Sequence, residues 1–255
     1  MTLSLAALAL LIVVHLSVHR MKFLSNAPRS RTLSFAGGVS LAYVFLHLLP
    51  ELAHGQMVLA ETVEAMFVFD AFAIYLLALV GLLAFYALER ALMHDPDMGK
   101  ASDGDVRTAE GGAENHGLFW MHLAVFALYS VIVGCLLVHQ PEGPAYEDSS
   151  EAARVAVFTL AMALHFTVVD FGLRSDFPSG WLRLGRWVMS GALVLGWLLG
   201  TFAGVSELWL LLSTALLGGG IILNVLKEEL PREREARFWW LILGAGAFLG
   251  VLAVS

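Results

Sequence analysis

Residues 33–51, LSFAGGVSLAYVFLHLLPE, form an apolar stretch that ends in His47, Pro50 and Glu51. An ionisable side chain at membrane depth is costly, so it normally faces a protein interior, a water-filled path or a bound ion. His47 and Glu51 are four residues apart and therefore share one face of a helix. Pro50 lacks an amide donor and frees a carbonyl group one turn earlier. The stretch predicts a bent membrane helix whose imidazole and carboxylate line a path for cations.

The chain as a whole has the composition of an integral membrane protein. Its 255 residues are 58% hydrophobic and 15% charged, and its mean hydropathy is +0.76, which is unusual for a soluble domain. Stretches near the roughly 20 apolar residues that a bilayer crossing needs occur at residues 2–19, 33–53, 67–92, 117–139, 152–173, 185–203, 207–226 and 237–254. We therefore predict an all-α fold with eight transmembrane helices in a single transmembrane domain, residues 1–255.

The basic residues predict the orientation of these helices, because Lys and Arg are retained on the cytoplasmic side. Of the 15 Lys and Arg residues, only Arg154 falls at a helix end predicted to lie outside. Both termini should therefore lie outside, and one missed helix would scramble this segregation. The chain has no glycosylation sequon or organelle address. We expect it to cross the inner membrane of a cell several times.

The charged residues also characterise the loops between the helices. The longest connection, residues 94–116, is rich in Gly, Ala and Asp and predicts a flexible cytoplasmic loop between the third and fourth helices. The outer ends and loops are acidic, which would concentrate cations at an entrance, although such acids also simply solvate loops. The sequence has no strongly basic tract and no nucleotide-binding loop. We expect the lipid bilayer as a partner, but no nucleic acid and no nucleotide.

An internal repeat relates the second stretch to the seventh. A shift of 181 residues lays the glycines 37–38 over 218–219 and the Leu-Pro pair 49–50 over 230–231. On the predicted topology these two helices run in opposite directions, so they would belong to an inverted repeat. Inverted repeats are common in secondary transporters, whose binding sites lie near the middle of the membrane. The glycines have a second explanation, because small residues let membrane helices pack closely.

The fifth stretch carries a second pair of polar groups, His165 and Asp170. Their spacing puts them about 140° apart around a helix, so they would serve successive positions along a path. Imidazole suits zinc and iron, and a carboxylate offsets their charge. In the alternative interpretation, His165 is a neutral core residue and Asp170 pairs with Arg174. His15, at the inner end of the first stretch, would extend toward the lipid headgroups.

Three features together resemble the ZIP (Zrt/Irt-like) family of divalent-metal transporters. The eight helices with outer termini and a cytoplasmic loop after the third match the layout of that family, and residues 35–51 and 216–231 look like its second and seventh helices. The resemblance implies a secondary transporter that moves zinc, iron or manganese toward the cytoplasm, with zinc the favoured substrate. One helix group would rock against the other, without a cofactor, and the protein would be a homodimer.

Departures from the family pattern concern the metal site, which the family builds mainly from its fourth and fifth helices. Val125 and Tyr129 stand where the fourth helix of the family carries a His and an acid. The fifth helix keeps only the first and last polar groups of the family pattern His-Glu-x-Pro-His-Glu. A binuclear site is therefore not expected, and a separate outer station would lie on the second helix. The predicted metal ligands are His165 and Asp170, assisted by His122, and, at the outer station, His47 and Glu51.

Two other functions stay open at the level of sequence. A protein of the same fold that lacks transport would act as a membrane scaffold or sensor, as the missing ligands of the fourth helix suggest. An intramembrane zinc-dependent hydrolase would use His47, His122 and His165 as zinc ligands and an acid as the base. The spacing of these histidines does not indicate that they converge, so we do not expect an enzyme.

Overall fold

The computed structural model describes residues 1–20, 31–62, 72–93, 116–139, 150–229 and 238–252, and every regular element in these ranges is helical. Apart from His116, the predicted cytoplasmic loop lies outside these ranges. We number the helical stretches in chain order: α1 (Thr2–Ser17), α2 (31–62), α3 (Ala73–Met93), α4 (His116–Leu136), α5 (Glu151–Asp176), α6 (Pro178–Phe202), α7 (Glu207–Glu229) and α8 (Phe238–Leu252).

Six of these helices, α2 to α7, are long and apolar enough to cross a membrane, whereas α1 and α8 are shorter apolar helices. Large apolar side chains cover the outward surface of α3, where Leu76, Leu79, Val80 and Leu83 are 44–53% exposed. Contiguous apolar surface of this kind is rare on soluble monomers. An all-α, multi-pass membrane protein is thus confirmed. That α1 and α8 also cross, and that both termini lie outside, stay predictions.

A π turn lies next to Pro50, where the sequence predicted a bend. In α2 the α-helical segments Arg31–Tyr43 and Leu49–Thr62 are joined by a π turn at Val44–Leu48, which contains His47. At its end the amide of Leu49 donates to the carbonyl of Val44. Because proline cannot donate, widening of the preceding turn keeps the neighbouring backbone groups paired. His47 therefore lies on an irregular turn and not on a regular helical face.

Helix pairs that are distant in sequence form the closest contacts. α4 packs on α6, α3 on α7, and α2 on α8, whereas α1 packs on both α5 and α6. Glycine makes three of these contacts possible. A Cβ atom on Gly38, Gly219 or Gly196 would overlap a backbone carbonyl of the partner helix. The backbones in these pairs touch, as small residues allow in membrane helices.

These contacts divide the described helices into two groups. The first group contains α1, α4, α5 and α6, and the second group contains α2, α3, α7 and α8. Contacts between the groups are made mainly by α2 with α5 and by α4 with α7. We call this boundary the seam. It is packed by side chains, for example Ala36 of α2 against Val168 of α5.

Candidate functional site

Two small cavities lie along the seam, and residues of both groups line each of them. The inner cavity, of about 10 Å³, is lined among others by Phe85, Phe126, Tyr129, His165, Ile221 and Asn224. The outer cavity, of about 20 Å³, is lined among others by Tyr43, Tyr129, Phe158, Met162, Leu217 and Ile221. Inner and outer refer to the orientation that the basic residues predict.

The cavities follow one another along the helices. On α4, α5 and α7, the residues of the inner cavity lie about a turn nearer to the predicted cytoplasmic end than those of the outer cavity. Tyr129 and Ile221 line both cavities. The arrangement is therefore a series of two spaces that share a wall.

Of the five predicted metal ligands, only His165 lines one of the two cavities. Its side chain is 5% exposed and forms part of the wall of the inner cavity. The ring centroid of Tyr129 lies 5.6 Å from that of His165, in an edge-on arrangement. Asn224 of α7 lines the same cavity and brings an amide group. The polar groups of the inner cavity are thus an imidazole, a phenol and an amide.

Asp170 pairs with His15 of α1. The His15 Nδ1 atom lies 2.7 Å from the Asp170 Oδ2 atom, and both side chains are 0% exposed. The predicted extension of His15 toward the headgroups is wrong, because its ring is completely buried. The alternative pairing of Asp170 with Arg174 is also wrong, since the Arg174 guanidinium donates to the carbonyl of Val18 at 3.3 Å. The carboxylate joins α1 to α5 within the first group.

The spacing of His165 and Asp170 explains their different surroundings. Positions five residues apart face directions about 140° apart on a helix, and His165 faces the seam while Asp170 faces α1. His15 could have been noticed in the sequence, because it continues the buried stripe of Leu8 and Leu11 on α1. Its partner lies 155 residues away, and nothing in the local sequence identifies it.

His122 lies among aromatic residues outside both cavities. Its side chain is 2% exposed, and its Nδ1 atom lies 2.9 Å from the carbonyl oxygen of Leu118, one turn earlier on the same helix. The ring centroid of Phe177 is 5.6 Å away. His122 therefore packs against the end of α5 and does not assist His165 at the cavity wall.

The predicted outer station is divided by the π turn of α2. His47 is 5% exposed, and its ring centroid lies 4.9 Å from that of Tyr43, which lines the outer cavity. Glu51 is half-buried one turn later. Neither residue lines one of the two cavities. Of this pair, His47 comes nearer to the seam, through Tyr43.

Within the described ranges, no three His, Cys, Asp or Glu side chains are close enough to hold a metal ion. His47, His122 and His165, the ligand set of the hydrolase alternative, are thus not gathered at one point. No model of a protein family matches the sequence, and no curated protein shows significant similarity to it. The resemblance to ZIP transporters accordingly rests on the sequence features quoted above.

Proposed function

We propose that the protein is a ZIP-like secondary transporter that moves a divalent metal ion, zinc or else iron or manganese, toward the cytoplasm along the seam. The observation that carries the proposal is the series of two cavities at the seam, with His165 on the wall of the inner one. In this proposal the protein is a homodimer in the inner membrane of a cell, all eight helices cross the bilayer, and both termini lie outside.

The difference in packing between the groups and the seam supports a rocking mechanism. Backbone contacts at glycines such as Gly196 fix α4 to α6, and similar contacts fix α2 to α8 and α3 to α7. Packed helices slide past one another only by small shear steps, and helices in backbone contact have little room for them. Movement is easier at the seam, where side chains and cavities separate the two groups. Rocking at the seam would open the cavities alternately to the two sides of the membrane.

Repeated contacts support the inverted repeat predicted from the sequence. In the pair α2–α8, each helix places a glycine against a backbone carbonyl of its partner. The pair α7–α3 has the same two contacts. The glycines and carbonyls of α2 and α7 correspond at the shift of 181 residues found in the sequence. Both pairs lie within the second group, and inverted repeats of this kind are common in secondary transporters. The corresponding contacts are Gly38 with Leu241, Gly219 with Ala78, Gly244 with Phe35, and Gly81 with Leu216.

The side chains at the seam favour weak binding of a metal ion as it passes, and they do not favour a tight metal site. Imidazole nitrogen is a good ligand for zinc and iron, and His165 presents one to the inner cavity. The amide oxygen of Asn224 is a harder and weaker ligand on the opposite wall. A stable protein zinc site has three or four ligands. We therefore propose His165 as the main ligand and assign Asp170 to the pair with His15.

Zinc uptake into vesicles that contain the purified protein tests this proposal. For His165→Ala we expect uptake to fall roughly tenfold or more, the lower end of the effect seen when groups around a metal ligand are lost. His122→Ala is the matched control, because it removes a buried histidine that lines neither cavity. Equal uptake by the wild type and His165→Ala would contradict the role of His165.

A membrane scaffold or sensor of the same fold is the second candidate. It is favoured by Tyr129, which stands where the family resemblance implies an acid, and by the lack of a three-ligand group within the described ranges. For such a protein we expect no zinc uptake by the wild type, whatever metal or gradient is supplied. Uptake above that of empty vesicles would exclude this candidate.

A further inference from the structure

We infer that Tyr129 and Ile221 form the barrier between the inner and outer cavities and thereby limit what passes along the seam. The inference rests on the proposed function for its biological meaning, but not for its geometry. Of all the residues that line the cavities, only these two line both. The chain contributes one of them from each side of the seam, Tyr129 from α4 and Ile221 from α7.

Tyr129 is held in place by three residues of α5. Its hydroxyl group donates to the sulfur of Met162 at 3.4 Å. Its ring meets that of Phe166 edge-on, with centroids 5.7 Å apart and planes at 90°, and its centroid lies 5.6 Å from that of His165. The side chain is 2% exposed. These neighbours all belong to the first group, so Tyr129 should move with that group as a unit.

Ile221 belongs to the second group through the packing of its helix. It follows Gly219 and Gly220 on α7, which lie against α3: a Cβ atom on Gly219 would overlap the carbonyl of Ala78, and one on Gly220 would meet the ring of Phe85. Each side of the barrier is therefore anchored within its own group. A shift of one group against the other separates Tyr129 from Ile221 without a rotation of either side chain.

The chemistry of the barrier suits a closed state that excludes water. The ring of Tyr129, whose hydroxyl is bonded to Met162, and the aliphatic side chain of Ile221 both line the two cavities. Apolar side chains at a constriction block ions by excluding water. Polar groups lie on the inner side, at His165 and Asn224. An ion that reaches His165 from inside would meet an apolar wall in its path to the outer cavity.

Water flow through vesicle membranes that contain the protein, measured by light scattering after an osmotic step without zinc, tests this inference. For Tyr129→Ala and Ile221→Ala we expect roughly tenfold faster protein-dependent water flow, the change that removes about 1.4 kcal/mol from a barrier. Phe158→Ala and Phe126→Ala are matched controls, because each enlarges one cavity alone. Tyr129→Phe keeps the ring but loses the hydroxyl bond to Met162, so its water flow should rise by less than that of Tyr129→Ala.

The inference and the proposed function fail in different measurements. Fast water flow through Tyr129→Ala together with no zinc uptake by the wild type would keep the barrier and reject the transporter. Wild-type zinc uptake together with unchanged water flow through both variants would keep the transporter and reject the barrier. If Tyr129→Ala does not fold, Ile221→Ala decides alone. Equal acceleration by Phe158→Ala or Phe126→Ala would also overturn the inference, because any loss of bulk would then suffice.

Discussion

The interior of each helix group and the seam between the groups are built from the same residue types in different ways. Within the groups, helices touch through glycine backbones, and a buried His15–Asp170 pair joins α1 to α5. At the seam, side chains leave two cavities, and the buried His165 has aromatic neighbours and, among the described residues, no carboxylate bonded to it. A buried histidine in a membrane helix thus joins helices in one place and lines a space in another. The neighbouring residues determine which of these two roles the histidine has.

Breaking the buried pair should have the largest effect of all on stability. For Asp170→Ala we expect a loss of about 3–5 kcal/mol, because removing one partner leaves a buried polar group uncompensated. Thermal unfolding of the purified protein in detergent measures this. The double variant His15→Leu with Asp170→Leu should recover most of the loss, since apolar residues of similar volume often replace a buried pair without cost. A double variant as unstable as Asp170→Ala would mean that the pair does more than hold α1 to α5.

Adding a methyl group at a backbone contact should have an intermediate effect. A Cβ atom on Gly196 would overlap the carbonyl of Val131, whereas one on Gly191 of the same helix meets nothing within 4 Å. For Gly196→Ala we expect a loss of about 1–3 kcal/mol from overpacking. Gly191→Ala should be neutral or slightly stabilising, because alanine favours helix. Similar unfolding temperatures for the two variants would indicate that α4 and α6 separate easily, and the distinction between group and seam would fail.

Replacing a methionine with leucine should have the smallest effect on stability. The same replacement should change water flow at the seam but not inside a helix group. Met162 contacts Tyr129 at the seam, and Met189 receives a weaker contact from Ser130 inside the first group. We expect Met162→Leu and Met189→Leu each to cost less than about 1.5 kcal/mol, because the volume is conserved. Only Met162→Leu should speed the osmotic water flow, since it frees the Tyr129 hydroxyl. Equal water flow in both variants would show that the sulfur contact does not hold Tyr129 at the barrier.

Sequence reasoning was sufficient for the membrane class, and each of the eight predicted apolar stretches overlaps a described helix. The irregular turn next to Pro50 was also foreseeable, since a missing amide donor must be accommodated locally. These features depend on composition and on single residues. They need no knowledge of which helix lies beside which.

The surroundings of the site residues were less accessible, because they depend on pairing between distant helices. In a membrane helix that is apolar on all sides, periodicity does not separate the face toward lipid from the face toward protein. The spacing of His165 and Asp170 correctly predicted different directions, but it did not predict that Asp170 faces His15. The cavities depend on four helices at once, and no local pattern encodes them.

The π turn of α2 has a consequence for how one helix contacts both groups. A single extra residue in a helical turn rotates everything after it by about 100°. The segment Arg31–Tyr43 packs on α8, α5 and α7, while Leu49–Thr62 packs on α3 and α7. The side chain of Gln56 in the second segment accepts a hydrogen bond from the Ile74 amide at 3.0 Å. Deleting one residue from Val44–Leu48 would therefore turn one half of α2 away from its partners. The extra residue of the π turn thus lets the two halves of α2 face partly different neighbouring helices.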